Sequence, residues 1–141
     1  GNWPRSGEID IVETINEKSD ELVTTIHYGH DYHRQISKTT LLNQLTKLSN
    51  PIDHNKISLI WEDKYFEWLL NDQSVFNVNF DEVDNLDPNP FLEEFYLLIN
   101  VAVGGNWPGP PNSTMYCNSR KSCPDVKKLI VDYIAYYEKI N

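Results

Sequence analysis

Apolar and polar positions alternate with a period of two along much of this chain, and that period predicts strands. Leu22 to Tyr28 is rich in β-branched residues, and Lys56 to Trp61, Tyr65 to Leu70 and Ser74 to Phe80 repeat the pattern. Asn71-Asp72-Gln73 reads as the turn between the last two. Phe95 to Val103 is an almost unbroken apolar run, predicted as a central strand buried on both faces, and Leu129 to Tyr137 as a closing strand. Proline-bearing polar stretches, Asp81 to Pro90 and Asn106 to Pro124, read as loops. Thr39 to Ser49 fits a short helix or a strand with a turn equally well. The sequence shows no internal repeat and no second domain. Many short strands separated by turn signals predict an all-β chain, a β-sandwich on pattern alone.

One strand stands apart. In Gly7-Glu8-Ile9-Asp10-Ile11-Val12-Glu13, two acids alternate with two isoleucines. Side chains alternate faces along a strand, so Glu8 and Asp10 share one face and Ile9 and Ile11 the other. The isoleucines suit a core; the acids then crowd an open face and raise each other's pKa. Glu13 follows Glu8 at an odd spacing, which in a regular strand turns it toward the core, where a lone carboxylate is costly. A β-bulge near Val12 returns it to the face of Glu8 and Asp10. Two glutamates so placed can bring their carboxyl groups to about 5–5.5 Å, the separation of a retaining glycosidase. The alternation alone also fits an ordinary half-exposed strand, and Glu13 fits that reading only by ending it.

The run Trp3-Pro4-Arg5-Ser6-Gly7-Glu8-Ile9-Asp10-Ile11-Val12-Glu13 resembles the signature of glycoside hydrolase family 16 in its bulged, laminarinase-like form. The resemblance continues through Thr25-Ile26-His27-Tyr28-Gly29 and returns at Phe95 to Gly109, ending in Gly-Gly-Asn-Trp-Pro-Gly; it closes at Val131 to Tyr137. Between Lys56 and Phe80 it holds in pattern more than in residues. It implies a jelly-roll sandwich of the concanavalin A-like lectin/glucanase type, with residues 1–141 the C-terminal part of one catalytic domain and the fold incomplete at its N-terminus. It also implies retaining endo-hydrolysis of β-1,3-glucan or mixed-linkage β-glucan: Glu8 as nucleophile, Glu13 as acid/base, and Asp10 between them tuning the nucleophile. Three clustered acids titrate as a coupled set, which suits one ionised and one protonated partner.

By family position, Trp3 and Trp107 are expected to stack on sugar faces. His27 is expected near the cleft, against an equal prospect of a satisfied strand histidine; Asn106 either bonds a sugar hydroxyl or shapes its loop. Trp61 and Trp68, inside strand patterns, read as packing residues, and His30, His33 and His54 as loop or surface residues. Arg5 reads as a solvated turn residue before a substrate contact. Asp132 resembles the side-chain ligand of a structural calcium carried by many members of the family; no cofactor is required for the chemistry itself.

Composition narrows the partners. With 21 acidic and 12 basic residues and a formal net charge of −9, nucleic acid and anionic membrane are poor partners, while a neutral polysaccharide is compatible. No apolar run is long enough for a membrane-spanning helix, no signal peptide is present, and a monomer is expected. Cys117 and Cys123 bracket a short polar loop and read first as a local disulfide of a secreted protein; two free thiols or half a metal site are the other readings, with zinc disfavoured for want of further ligands nearby. Asn112-Ser113-Thr114 is a glycosylation sequon, weakly in keeping with secretion. The expected function is thus a secreted endo-β-1,3-glucanase. The alternatives are a β-glucan transglycosylase, and a non-catalytic β-glucan recognition protein, whose kind has typically lost the glutamates.

Overall fold

The computed structural model describes residues 1–15, 18–42, 54–84, 86–110 and 129–139. The chain groups into two compact units, Gly1–Tyr96 and Leu97–Asn141.

The first unit holds two antiparallel three-stranded sheets, each in simple meander order. One is built from β1 (Glu8–Ile15), β2 (Lys18–Tyr28) and β3 (Arg34–Leu41). The other comes from β4 (Ile57–Glu62), β5 (Tyr65–Leu70) and β6 (Gln73–Asn79). β4, β5 and β6 lie within a residue or two of the periods read from the sequence. The β5–β6 hairpin closes with Leu70 opposite Gln73. Asn71 and Asp72 between them take left-handed φ values of 50° and 66°, the conformation of a two-residue hairpin turn that Asn and Asp tolerate well. Phe80, expected to end the last strand, instead opens a 3₁₀ turn, Phe80–Glu82, capped by the Asn79 side chain.

The core lies between the sheets. Ile26 and Tyr28 of β2 meet Phe66 and Trp68 of β5, Val78 of β6, and Phe80, Leu86 and Phe91 from the segment that follows. Phe66 is the hub, edge-on to Trp68, Phe80 and Phe91 with ring centroids 4.8–5.6 Å apart. Ile9 of β1 packs against this cluster from the partly buried margin. Trp68 is fully buried, and Trp61 donates its indole N–H to the Phe91 carbonyl at 3.1 Å, so both tryptophans pack as their strand positions predicted.

Two expectations are corrected. Phe95 to Val103 and Leu129 to Tyr137, predicted as a central and a closing strand, join no sheet ladder among the described residues. Leu97, Leu98, Ile99, Val101 and Val103 are exposed, as are Leu129 to Ile134, Tyr136 and Tyr137. An apolar run supplies side chains suited to a buried strand, but a strand exists only where a neighbour takes its backbone N–H and C=O groups. Phe95 alone of the first run is half-buried, with its ring 5.3 Å from that of Trp61 and 6.1 Å from that of Phe91. In the stretch left open between helix and strand, residues 39–41 belong to β3, and those from 43 to 49 lie outside the described residues.

Candidate active site

β1 pairs with β2 in a register that decides which side chains share a face. Glu8 stands opposite His27, Asp10 opposite Thr25 and Glu13 opposite Val23. From Asp10 to Glu13 β1 spends three steps while β2 spends two, so one extra residue sits on β1 beside Ile11 and Val12. The bulge lies where the parity of the acids required one. Leu22, Thr24, Ile26 and Tyr28 take the inward face of β2, so His27, Thr25 and Val23 face outward, and the three acids with them. β3 extends these rows with Gln35, Ser37 and Thr39, and the Thr25 and Ser37 hydroxyls bond across the strands at 2.9 Å. The open face is therefore a polar ladder with three carboxyl groups on its edge strand.

Gly7 sets the entry to β1. Its φ is +72°, and a Cβ there would come within 3.0 Å of Phe95 Cζ, 3.1 Å of Pro90 Cβ and 3.2 Å of Phe91 Cε1. Only glycine fits a left-handed backbone this close to three rings. The turn before it is closed by Ser6 N–H to the Asn2 carbonyl and Gly7 N–H to the Pro4 carbonyl, each at 3.0 Å. That turn swings Trp3 back over the strand, where its indole N–H donates to Glu8 Oε2 at 2.6 Å. The short charge-assisted bond orients the Glu8 carboxylate and leaves the Trp3 ring half exposed.

The three carboxyl groups do not titrate alike. Burial, and then the charges of Glu13 and Glu8, push Asp10 up to about 7. Burial, and then the charge of Glu8, raise Glu13 above its ordinary value. His27 is held below its ordinary value chiefly by burial, with His33 adding to the fall and Glu8 opposing it. His27 Nε2 lies 3.0 Å from Asp10 Oδ2. The approach is short but poorly aligned, so Asp10 Oδ2, closed off from water, makes no hydrogen bond of good geometry.

His33, read from the sequence as a loop or surface histidine, is exposed in the β2–β3 turn as expected. The contact that the sequence did not show is with His27: His33 Nε2 lies 2.7 Å from His27 Nδ1. Its ring centroid lies 4.6 Å from that of Trp3. The fold-back depends on Gly29, at φ +121°, where a Cβ would strike the Tyr32 carbonyl. The histidine spacing around that glycine was the only available signal, and it does not give the direction of the turn.

Arg5 is exposed in the entry turn. Asn106 and Trp107 belong to the second unit, in a tight turn closed by the Gly105–Gly109 bridge, with Trp107 half exposed. Asp132 lies in that unit on an exposed stretch, and among the described residues no group of three or more His, Cys, Asp or Glu is arranged to hold a metal ion. Cys117, Cys123 and the sequon at Asn112 lie outside the described residues.

No family model matches the chain. The glucan endo-1,3-beta-glucosidase of Cryptopygus antarcticus is 32% identical over 77% of this chain and 42% of that protein. The clotting factor G alpha subunit of Tachypleus tridentatus is 28% identical over 96% of this chain and 18% of that protein. Among solved structures, the laminarinase catalytic domain of Thermotoga maritima superposes with a TM-score of 0.67 at 30% identity, covering 82% of this chain and 46% of that one. The chain thus spans less than half the length of each of these relatives. Its fold is that of the laminarinase jelly rolls.

Proposed function

We propose that this chain carries the catalytic strand of a retaining endo-β-1,3-glucanase acting on laminarin-like polysaccharide. The observation that carries the reading is the bulge that brings Glu8, Asp10 and Glu13 to one open face. In the first step the Glu8 carboxylate attacks the anomeric carbon. The glycosidic C–O bond breaks, and the leaving oxygen takes the proton of Glu13. In the second step water attacks that carbon. Glu13 takes the water's proton, the ester bond to Glu8 breaks, and the anomeric configuration is retained.

The site's electrostatics support this division. Glu13, raised by burial and by the charge of Glu8, is suited to start protonated. Glu8, held by the Trp3 indole, is oriented for attack. Asp10, raised to about 7, is suited to stay neutral beside Glu8 during the reaction and so to add no second negative charge. The half-exposed Trp3 ring offers an apolar platform beside the nucleophile for a sugar face. Secretion, a monomeric state and a structural calcium near Asp132 belong to the same reading.

The test is release of reducing ends from laminarin by the chain and by Glu8→Gln, with the product anomer followed by NMR. Release of the β-anomer that vanishes in the variant supports the reading. An α-anomer would sink the retaining mechanism. Glucan binding without release, equal in both proteins, would overturn the enzyme reading in favour of a recognition protein.

A further inference from the structure

The contact between His27 and His33 has no part in the reaction steps given to the three acids, yet it is the shortest contact between ionisable side chains on this face. It extends a line that begins at Asp10: Asp10 Oδ2 lies 3.0 Å from His27 Nε2, close enough to bond once a small turn of either side chain aligns the pair, and His27 Nδ1 lies 2.7 Å from His33 Nε2. The titratable groups facing this line are Glu8 and Glu13 from β1, His27 from β2 and His33 from the β2–β3 turn. Trp3 lies against both imidazoles, with centroids at 4.6 Å and 6.0 Å, and its N–H is committed to Glu8.

We propose that His33 is a positioning residue for Asp10, completing through His27 a proton-linked line that keeps its partners whether Asp10 is ionised or neutral. The inference rests on the reading of Glu8, Asp10 and Glu13 as the catalytic set. When Asp10 is ionised, His27 Nε2–H donates to it, and His27 Nδ1 accepts from His33 Nε2–H. When Asp10 is protonated, its O–H donates to His27 Nε2, and His27 Nδ1–H donates to the bare Nε2 of His33. When Asp10 becomes protonated, one proton moves along each bond toward it and His33 Nδ1, on an exposed ring, takes up one from water; the reverse change releases it there, so neither ring is left charged. An imidazole can take both parts because its neutral form exchanges donor and acceptor between its two nitrogens. A residue that only donates, or only accepts, would favour one state of Asp10 and leave the other with a buried polar atom lacking a partner.

The test uses the full chain with ¹⁵N-labelled histidine rings and a ¹³C-labelled Asp10 carboxyl, titrated by NMR. The expected result is that the ring nitrogens of both His27 and His33 exchange donor and acceptor character at the midpoint of Asp10. In His33→Phe, which keeps a ring under Trp3, the Asp10 midpoint should move by about half a pH unit or more. His33→Gln, whose amide can donate or accept, should restore most of it. On laminarin, His33→Phe should lower kcat about tenfold with KM changed less than about twofold. An Asp10 midpoint that is the same in wild type and a folded His33→Phe would overturn the proposal. So would His33 ring signals that stay still while Asp10 titrates, a readout that stands even where the variant does not fold. Absence of laminarin cleavage by the wild type would sink the glucanase reading and leave the ring signals to judge the line by themselves.

Discussion

At the scale of the residue, the site runs on unequal carboxyl groups. Burial is the largest cause of the rise in both Asp10 and Glu13; the charge of Glu13 and then that of Glu8 add to it at Asp10, and the charge of Glu8 adds to it at Glu13. Glu8→Gln should therefore lower the titration midpoints of Asp10 and Glu13 without returning either to its ordinary value, as read from their ¹³C carboxyl signals. Asp10 also links the site to stability. Its folded value of about 7 lies above the ordinary 3.8, so between these values the native chain binds the proton more tightly than the unfolded one. Stability contributed by this group is greatest below about pH 4, falls as pH rises toward 7 and levels off above it. Asp10→Asn should remove that loss. Water still reaches the site, so the gain at pH 8 relative to pH 4 is expected to be about 1 kcal/mol, less than the roughly 1.4 kcal/mol per pH unit of an unscreened shift. Urea unfolding of both proteins at the two pH values measures it.

At the scale of the element, the decisive feature of β1 is one residue of excess length. The sequence carries this feature as a parity: two acids an even distance apart and a third at an odd one. It is legible because a lone carboxylate on the core face is costly enough to exclude the regular strand. Deleting Val12 should restore the regular register and leave Glu13 an even distance from Asp10, still on the face of the other two acids. Glu13→Gln, which keeps the bulge and removes the acid, should lower turnover of laminarin at least about a hundredfold, the usual contribution of a positioned acid/base. Turnover left intact in a folded Glu13→Gln would refute the role given to Glu13. The β5–β6 hairpin was legible for a similar local reason, since Asn and Asp tolerate the left-handed φ its turn requires. Most of β3 was not legible: Arg34 to Thr39 mixes charged, polar and apolar residues without a period. Its place comes from a backbone ladder to β2, from the Thr25–Ser37 contact and from Ile36, which packs against the core.

At the scale of the whole molecule, the first unit is held by one aromatic cluster between two sheets. Phe66 is fully buried and touches Trp61, Trp68, Phe80 and Phe91 edge-on. Phe66→Ala should cost about 3–5 kcal/mol, since both the transfer energy of the ring and the cavity left behind are lost. Thermal and urea unfolding report that loss, and a cost below about 1 kcal/mol would show that the cluster is not the main support. Phe91 and Phe95 join this core to the catalytic entry, because both rings close on the space where Gly7 needs no side chain. Core stability and the placing of Glu8 are thus coupled through Gly7.

The sequence by itself determined what depends on neighbours a few residues away. The acid-bearing strand, the parity that requires its bulge, the hairpin turn and the packing of Trp61 and Trp68 all follow from side-chain alternation and local φ preferences, which act along a single strand. Only the tertiary structure decided what depends on distant partners. His33 reaches His27 because a turn at Gly29 reverses the chain, and no period in the sequence encodes that direction. The apolar runs at Phe95 to Val103 and Leu129 to Tyr137 read as strands, yet they join no ladder among the described residues. Side-chain pattern states what a segment is suited to be, whereas a strand is completed by the backbone groups of another segment.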